Sequence, residues 1–195
     1  MLKTSSATSA LSTSMIRIFT TLAWFALLMM VAALCLGLYL GDIHGQRDPM
    51  VLHLATVHRL LGAAAALVVV LVDSIVVTYF IGTSRWCKEV VETYHLDANL
   101  LRRSVLLKRR TFPWALCSML AVVAVSALGA AADPASGRLG TEAWVSIHLV
   151  GALTGLAFIA VSFYLQAQNI ASHHIVINDI LTEVRRIRVE RGLEV

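Results

Sequence analysis

Charge is scarce in this chain. Only 14% of its 195 residues are Asp, Glu, Lys or Arg, while 58% are hydrophobic and the mean hydropathy is +0.76. A soluble globular domain carries about 25% charged residues, so the composition excludes a water-soluble fold of this length. Lys and Arg are missing from the interior of four long stretches, residues 18–40, 57–81, 113–132 and 144–166. Each reaches the roughly 20 apolar residues that a membrane-crossing helix needs.

Cysteine is scarce too. The three, Cys35, Cys87 and Cys117, offer no paired spacing for a disulfide framework and read as small apolar residues. Catalytic signatures are missing: there is no phosphate-binding glycine loop, no nucleophile elbow and no HExxH. Glu92-x-x-His95 has the spacing of a di-iron motif, but that site needs two copies of the motif plus two more carboxylates, and only one copy is present. The first apolar stretch is longer than the roughly 7–15 residues of a cleaved signal peptide, so it is expected to be a retained anchor.

What is present is an all-α integral membrane pattern, a bundle of four transmembrane helices. The basic residues assign its orientation. Seven Lys and Arg lie between residues 82 and 112 and four in the C-terminal tail, whereas the 133–143 connection holds only Arg138. Basic loops stay on the cytoplasmic side. Both termini are therefore expected in the cytoplasm, at an inner or plasma membrane. The pI near 9.3 then calls for no nucleic acid, because basic flanks also attract anionic lipid head groups.

Taken in order, residues 1–16, rich in Ser, Thr and Ala, read as a disordered tail. Residues 17–169 form the membrane domain. Its outer connection after residue 41 carries Gly45, Pro49, His44 and His53. Residues 84–111 read as an amphipathic cytoplasmic hairpin, with Asp97 as the N-cap of its second helix. Pro113 suits the first turn of the third membrane helix. Gly62-x-x-x-Ala66 and Gly151-x-x-x-Gly155 have the spacing that lets membrane helices approach closely. Residues 170–195 form an amphipathic helix, with Ile177, Leu181, Val184 and Ile187 on one face. The segments 88–110 and 173–192 are the surfaces expected to meet a protein partner or a second copy.

A weak internal repeat runs through the chain. At an offset of 90 residues, Trp24 falls on Trp114, Met29 on Met119 and His58 on His148. This is the pattern of a duplicated two-helix hairpin, with the two histidines at similar depth near the outer face.

That pair carries the main candidate chemistry. A neutral imidazole is a good ligand for iron, copper or zinc. His58 and His148 on facing helices would hold haem b from both sides. Gly62 and Gly151, each about one turn away, would leave room for the porphyrin. The competing reading places both histidines in hydrogen bonds at the wet interface. Asp73 is the second candidate, since an acid inside a membrane helix is expensive and functional by default. It lies about 22 Å along the axis from His58. His173-His174 reads as a solvated helix end. Three functions follow as expectations: a non-enzymatic accessory subunit of a membrane complex, a haem b electron-transfer subunit, and a small ion- or proton-coupled transporter using Asp73. Whether His58 and His148 meet separates the first two.

Overall fold

The structure, a computed structural model, describes residues 3–193. Four long helices account for nearly all of it: α1 (Lys3–Leu40), α2 (Pro49–Tyr94), α3 (Ala98–Ala132) and α4 (Val145–Glu190). All four are long and apolar enough to cross a membrane. There is no strand among the described residues.

The helices are longer than the apolar runs predict. α1 extends back to Lys3, through the segment expected to be disordered; that segment contains neither Gly nor Pro, so a helix started in the apolar run propagates into it. α2 starts at Pro49, eight residues before its span. The signal is Asp48-Pro49: the Asp48 carboxylate accepts from the Met50 N–H at 2.8 Å, and Pro49 takes the first helical position, where no N–H is needed. Pro113 does not open a helix. It lies inside α3, which runs unbroken from the hairpin into the apolar stretch. Likewise, α4 carries the membrane stretch and the C-terminal amphipathic segment as one helix.

Internal contacts divide the chain into two compact units. The span unit contains Thr21–Asp73 and Leu116–Phe163; the extension unit contains Ser74–Ala115 and the chain from Tyr164, together with the start of α1. In the span unit the buried positions are mostly small: Ala23, Ala26, Ala33, Ala55 and Ala65, beside Val69, Val72 and Val122. Small residues let helices pack closely where lipid is the solvent. Large side chains such as Trp24, Leu28, Leu67 and Leu120 point outward.

In the extension unit, α2 ends at Tyr94, and the positive φ of 54° at the next residue, His95, lets the Leu96 N–H reach back to the Val91 carbonyl. Asp97 caps α3 as expected, its carboxylate accepting from the Asn99 N–H at 2.9 Å. Cys87 and Val91 of α2 bury against Val176 and Ile180 of α4, with Leu100 and Leu101 of α3 packed alongside. The buried seam of α4 thus centres one residue before the predicted Ile177 and Leu181. An Arg103–Asp179 ion pair at 2.8 Å joins α3 to α4 at the surface.

Candidate functional site

Each histidine of the pair is seated by the helix that precedes its own. On α2, His58 donates from Nδ1 to the Ala33 carbonyl of α1 at 3.0 Å. One turn further along α1 is Gly37, where a β-carbon would lie 2.9 Å from Cε1 of the His58 ring. The second hairpin repeats this arrangement. His148 of α4 rests on Gly129 of α3, whose missing β-carbon would lie 3.0 Å from its Cε1. Val125, four residues before Gly129 as Ala33 is before Gly37, sets its backbone against the His148 ring. There the likeness stops. The Val125 approach falls short of hydrogen-bond geometry, and the buried Nδ1 of His148 has no partner.

These glycines extend the internal repeat. Gly37 and Gly129 are 92 residues apart and the histidines 90, because the stretch from glycine to histidine is two residues shorter in the second hairpin. The spacing was legible in the sequence, but only once the histidine rings identified what the glycines accommodate.

The two rings meet. Their centres are 6.4 Å apart and their planes are 73° to one another. Imidazole nitrogen binds a first-row metal ion at about 2 Å, and each ring nitrogen lies about 1.1 Å from its ring centre. Two imidazoles on opposite sides of one ion therefore have centres about 6.3 Å apart. The observed separation is close to that value, and it also lies within the roughly 4.5–7 Å range of ordinary ring-to-ring contacts.

Of the flanking glycines, Gly62 has nothing within 4 Å of where its β-carbon would lie, so the space one turn from His58 is open and Gly62 makes no close helix contact. Gly151 is committed to packing instead: a β-carbon there would lie 2.5 Å from the Leu128 side chain, and one at Gly155 would lie 2.6 Å from Val125. The Gly151-x-x-x-Gly155 pattern thus docks α4 on α3, and only Gly62 of the two flanking glycines keeps room beside a histidine.

Two polar clasps close the ends of these helices. The Arg59 guanidinium donates to both Asp133 carboxylate oxygens, at 2.9 and 3.0 Å, tying α2 to the end of α3. His44, in the connection after α1, has Nδ1 2.5 Å from the Asp42 carboxylate and Nε2 2.7 Å from the Thr141 hydroxyl, in the turn that leads into α4. His44 is thereby occupied, and His53 is exposed on α2. Among the described residues no three His, Cys, Asp or Glu side chains gather into a metal cluster.

Asp73 is fully buried in the span unit and engaged by its surroundings. It lies four turns along α2 from His58, and the structure does not bring the two together.

The sequence reading of His173 fails. It is fully buried in the extension unit. Its Nε2 lies 2.8 Å from the Ser104 hydroxyl and its Nδ1 3.3 Å from the Tyr79 hydroxyl, while Ser104 continues to Ser84 at 3.2 Å. Three helices thus share one satisfied polar network beside the Phe80 ring. Burial also pushes the neighbouring Cys87 thiol up, against a smaller opposing effect of the Ser104 hydroxyl; this thiol is unreactive. His95, the partner that an inner ligand pair would need, is exposed at the end of α2.

The chain matches no protein-family model, no curated protein and no solved structure.

Proposed function

We propose that this chain is a membrane electron-transfer subunit that binds haem b through His58 and His148. The carrying observation is the separation of the two rings, 6.4 Å between centres, on helices long enough to cross a bilayer. The surroundings fit. Ala33 accepts the Nδ1 proton of His58, which fixes the tautomer with Nε2 free to bind metal. Gly37 and Gly129 let both rings lie flush against neighbouring helices, and Gly62 leaves open volume beside His58. When bound, the haem would supply one-electron chemistry. The protein's part is to hold two neutral imidazoles, keep the site in an apolar surround and shape its access.

The same reading places the chain in an inner or plasma membrane, N and C termini cytoplasmic, on the strength of the basic residues in the 82–112 connection and the C-terminal tail. The subunit is non-enzymatic by itself and works with an electron donor or acceptor. A cofactor-free accessory role rests on the absence of a catalytic constellation and on the amphipathic faces of 88–110 and 173–192. Those faces pack on each other around Cys87, Val91, Val176 and Ile180, so that support is weakened. Their solvent-facing charges remain the surface for a partner or a second copy.

The test is an absorption spectrum of detergent-purified protein expressed with ample haem, oxidised and then reduced with dithionite. A sharp reduced α-band and a shifted Soret band, both lost in a His58→Ala, His148→Ala double variant that still purifies as a folded protein, are expected. A featureless spectrum overturns the proposal.

A further inference from the structure

The two halves of the site are nearly symmetric in backbone and unequal in hydrogen bonding. Both rings rest on a glycine at matching distance. His58 is held at Nδ1 by the Ala33 carbonyl at 3.0 Å. The Nδ1 of His148 is buried with no partner, although the Val125 backbone stands where Ala33 does in the first hairpin.

This difference bears directly on ligation. A histidine ligand whose second ring nitrogen donates to a carbonyl is fixed in orientation and made more basic, and loss of such a contact costs about 10–100-fold in metal affinity. The unpartnered buried nitrogen carries a second consequence. To serve as a ligand through Nε2, neutral His148 must keep its proton on Nδ1, where it meets only the Val125 backbone, in a weaker contact than the Ala33 carbonyl makes with His58. Burying that N–H unsatisfied works against the bound orientation. His58 has neither handicap.

Resting on the haem reading above, we infer that His58 is the permanent ligand and His148 an exchangeable one, so that the site admits a small neutral diatomic ligand such as carbon monoxide or nitric oxide on the His148 side. The exchange breaks the bond between the metal and His148 Nε2 and forms one to the incoming donor. It moves no electron and needs no proton, since both donors are neutral. A site of this kind responds to a dissolved gas as well as carrying electrons. The flanking contacts agree with the assignment: the Asp42–His44–Thr141 clasp anchors the start of α4 two turns before His148, so departure of the ligand is a swing of the side chain and does not require the helix to move.

The experiment uses the full-length haem-loaded protein, reduced and titrated with carbon monoxide, beside His58→Ala and His148→Ala. The wild type is expected to show a Soret shift on saturation. His148→Ala is expected to retain haem, to return to a six-coordinate spectrum when free imidazole is added, and to bind carbon monoxide about tenfold more tightly or better, because the competing side chain is gone. His58→Ala is expected to lose most of its haem. Recovery by imidazole shows that the His148→Ala protein is folded. A wild-type reduced spectrum unmoved by saturating carbon monoxide overturns the inference and leaves the haem reading standing, as does equal haem retention by the two single variants. Absence of haem from the wild type overturns both.

Discussion

His44 Nε2 lies 2.7 Å from the hydroxyl of Thr141, 97 residues further along the chain. The contact joins the connection after α1 to the turn that starts α4, and Asp42 holds the same imidazole from the other side. Thr141 is buried. Its replacement by Val keeps the shape and removes the hydroxyl, so His44 loses its partner at a cost of about 1 kcal/mol. In detergent this should lower the thermal midpoint by a few degrees. An unchanged midpoint would show that the clasp is ornamental.

Asp42 makes this end of the molecule acid-sensitive. The His44 backbone N–H and then its side chain hold the Asp42 carboxyl below its usual value of 3.8. A carboxylate with a depressed folded-state value adds stability above the unfolded value and loses it as the pH falls through the folded one. Thermal midpoints measured between pH 7 and pH 3 should therefore drop more steeply below about pH 4 in the wild type than in Asp42→Asn. Parallel curves would contradict the assignment.

Three of the glycines near the histidines are separable by one substitution each. Gly37→Ala would set a methyl 2.9 Å from the Cε1 of His58, closer than packed atoms tolerate, and Gly129→Ala one 3.0 Å from that of His148, tight enough that the ring must shift by a few tenths of an ångström. His58 is tied to Ala33 and has little freedom to retreat. Both variants should lose or perturb the haem spectrum. In Gly62→Ala the new methyl meets nothing within 4 Å, so the fold should keep its stability or gain up to about 1 kcal/mol from helix propensity. Equal effects at Gly37 and Gly62 would refute the seating of His58.

In the extension unit, Ser104→Ala strips the buried His173 of its Nε2 partner and Ser84 of its neighbour. An unsatisfied buried polar group costs about 1–3 kcal/mol. Lys88→Ala, which removes an exposed helix pair with Glu92, should cost next to nothing. Comparing their thermal midpoints shows whether the network or the surface charge stabilises this unit.

Much of the architecture was legible because a bilayer makes a blunt demand. Four long runs without Lys or Arg past their first turn have few other readings, and the basic connection between the second and third runs marks a helical hairpin. The sequence pairs His58 with His148 through the repeat, and the structure brings them together. It was silent about what each ring touches: Ala33, Gly37 and Gly129 lie on other helices and carry no chemical label. Helix ends were missed where the apolar pattern stops before the helix does, as at Lys3 and Pro49. His173 was misread for a related reason. Seven residues past the last apolar run, it has the look of a solvated end, and only the return of the 84–111 hairpin buries it. Burial of a polar residue by a distant segment leaves no periodic trace.

The angle between the two rings makes a last, sharper prediction. When two imidazoles bind opposite faces of a ferric haem, the relative orientation of their planes sets how evenly the iron d-orbitals are split. Parallel planes separate two of those orbitals and give a rhombic low-spin signal in electron paramagnetic resonance. Perpendicular planes leave them nearly degenerate and give a strongly anisotropic signal dominated by one large g value. The His58 and His148 planes stand at 73°, close to perpendicular. The angle is fixed on one side by the Ala33 carbonyl and on both sides by the glycines that receive the ring edges. The oxidised haem-loaded protein, frozen in detergent, should show the strongly anisotropic signal. Gly129→Ala, by turning the less firmly held ring, should move it toward the rhombic form. A rhombic spectrum in the wild type would mean that the rings rotate on binding, and that the orientation set by Gly37 and Gly129 is not the one in which the histidines act.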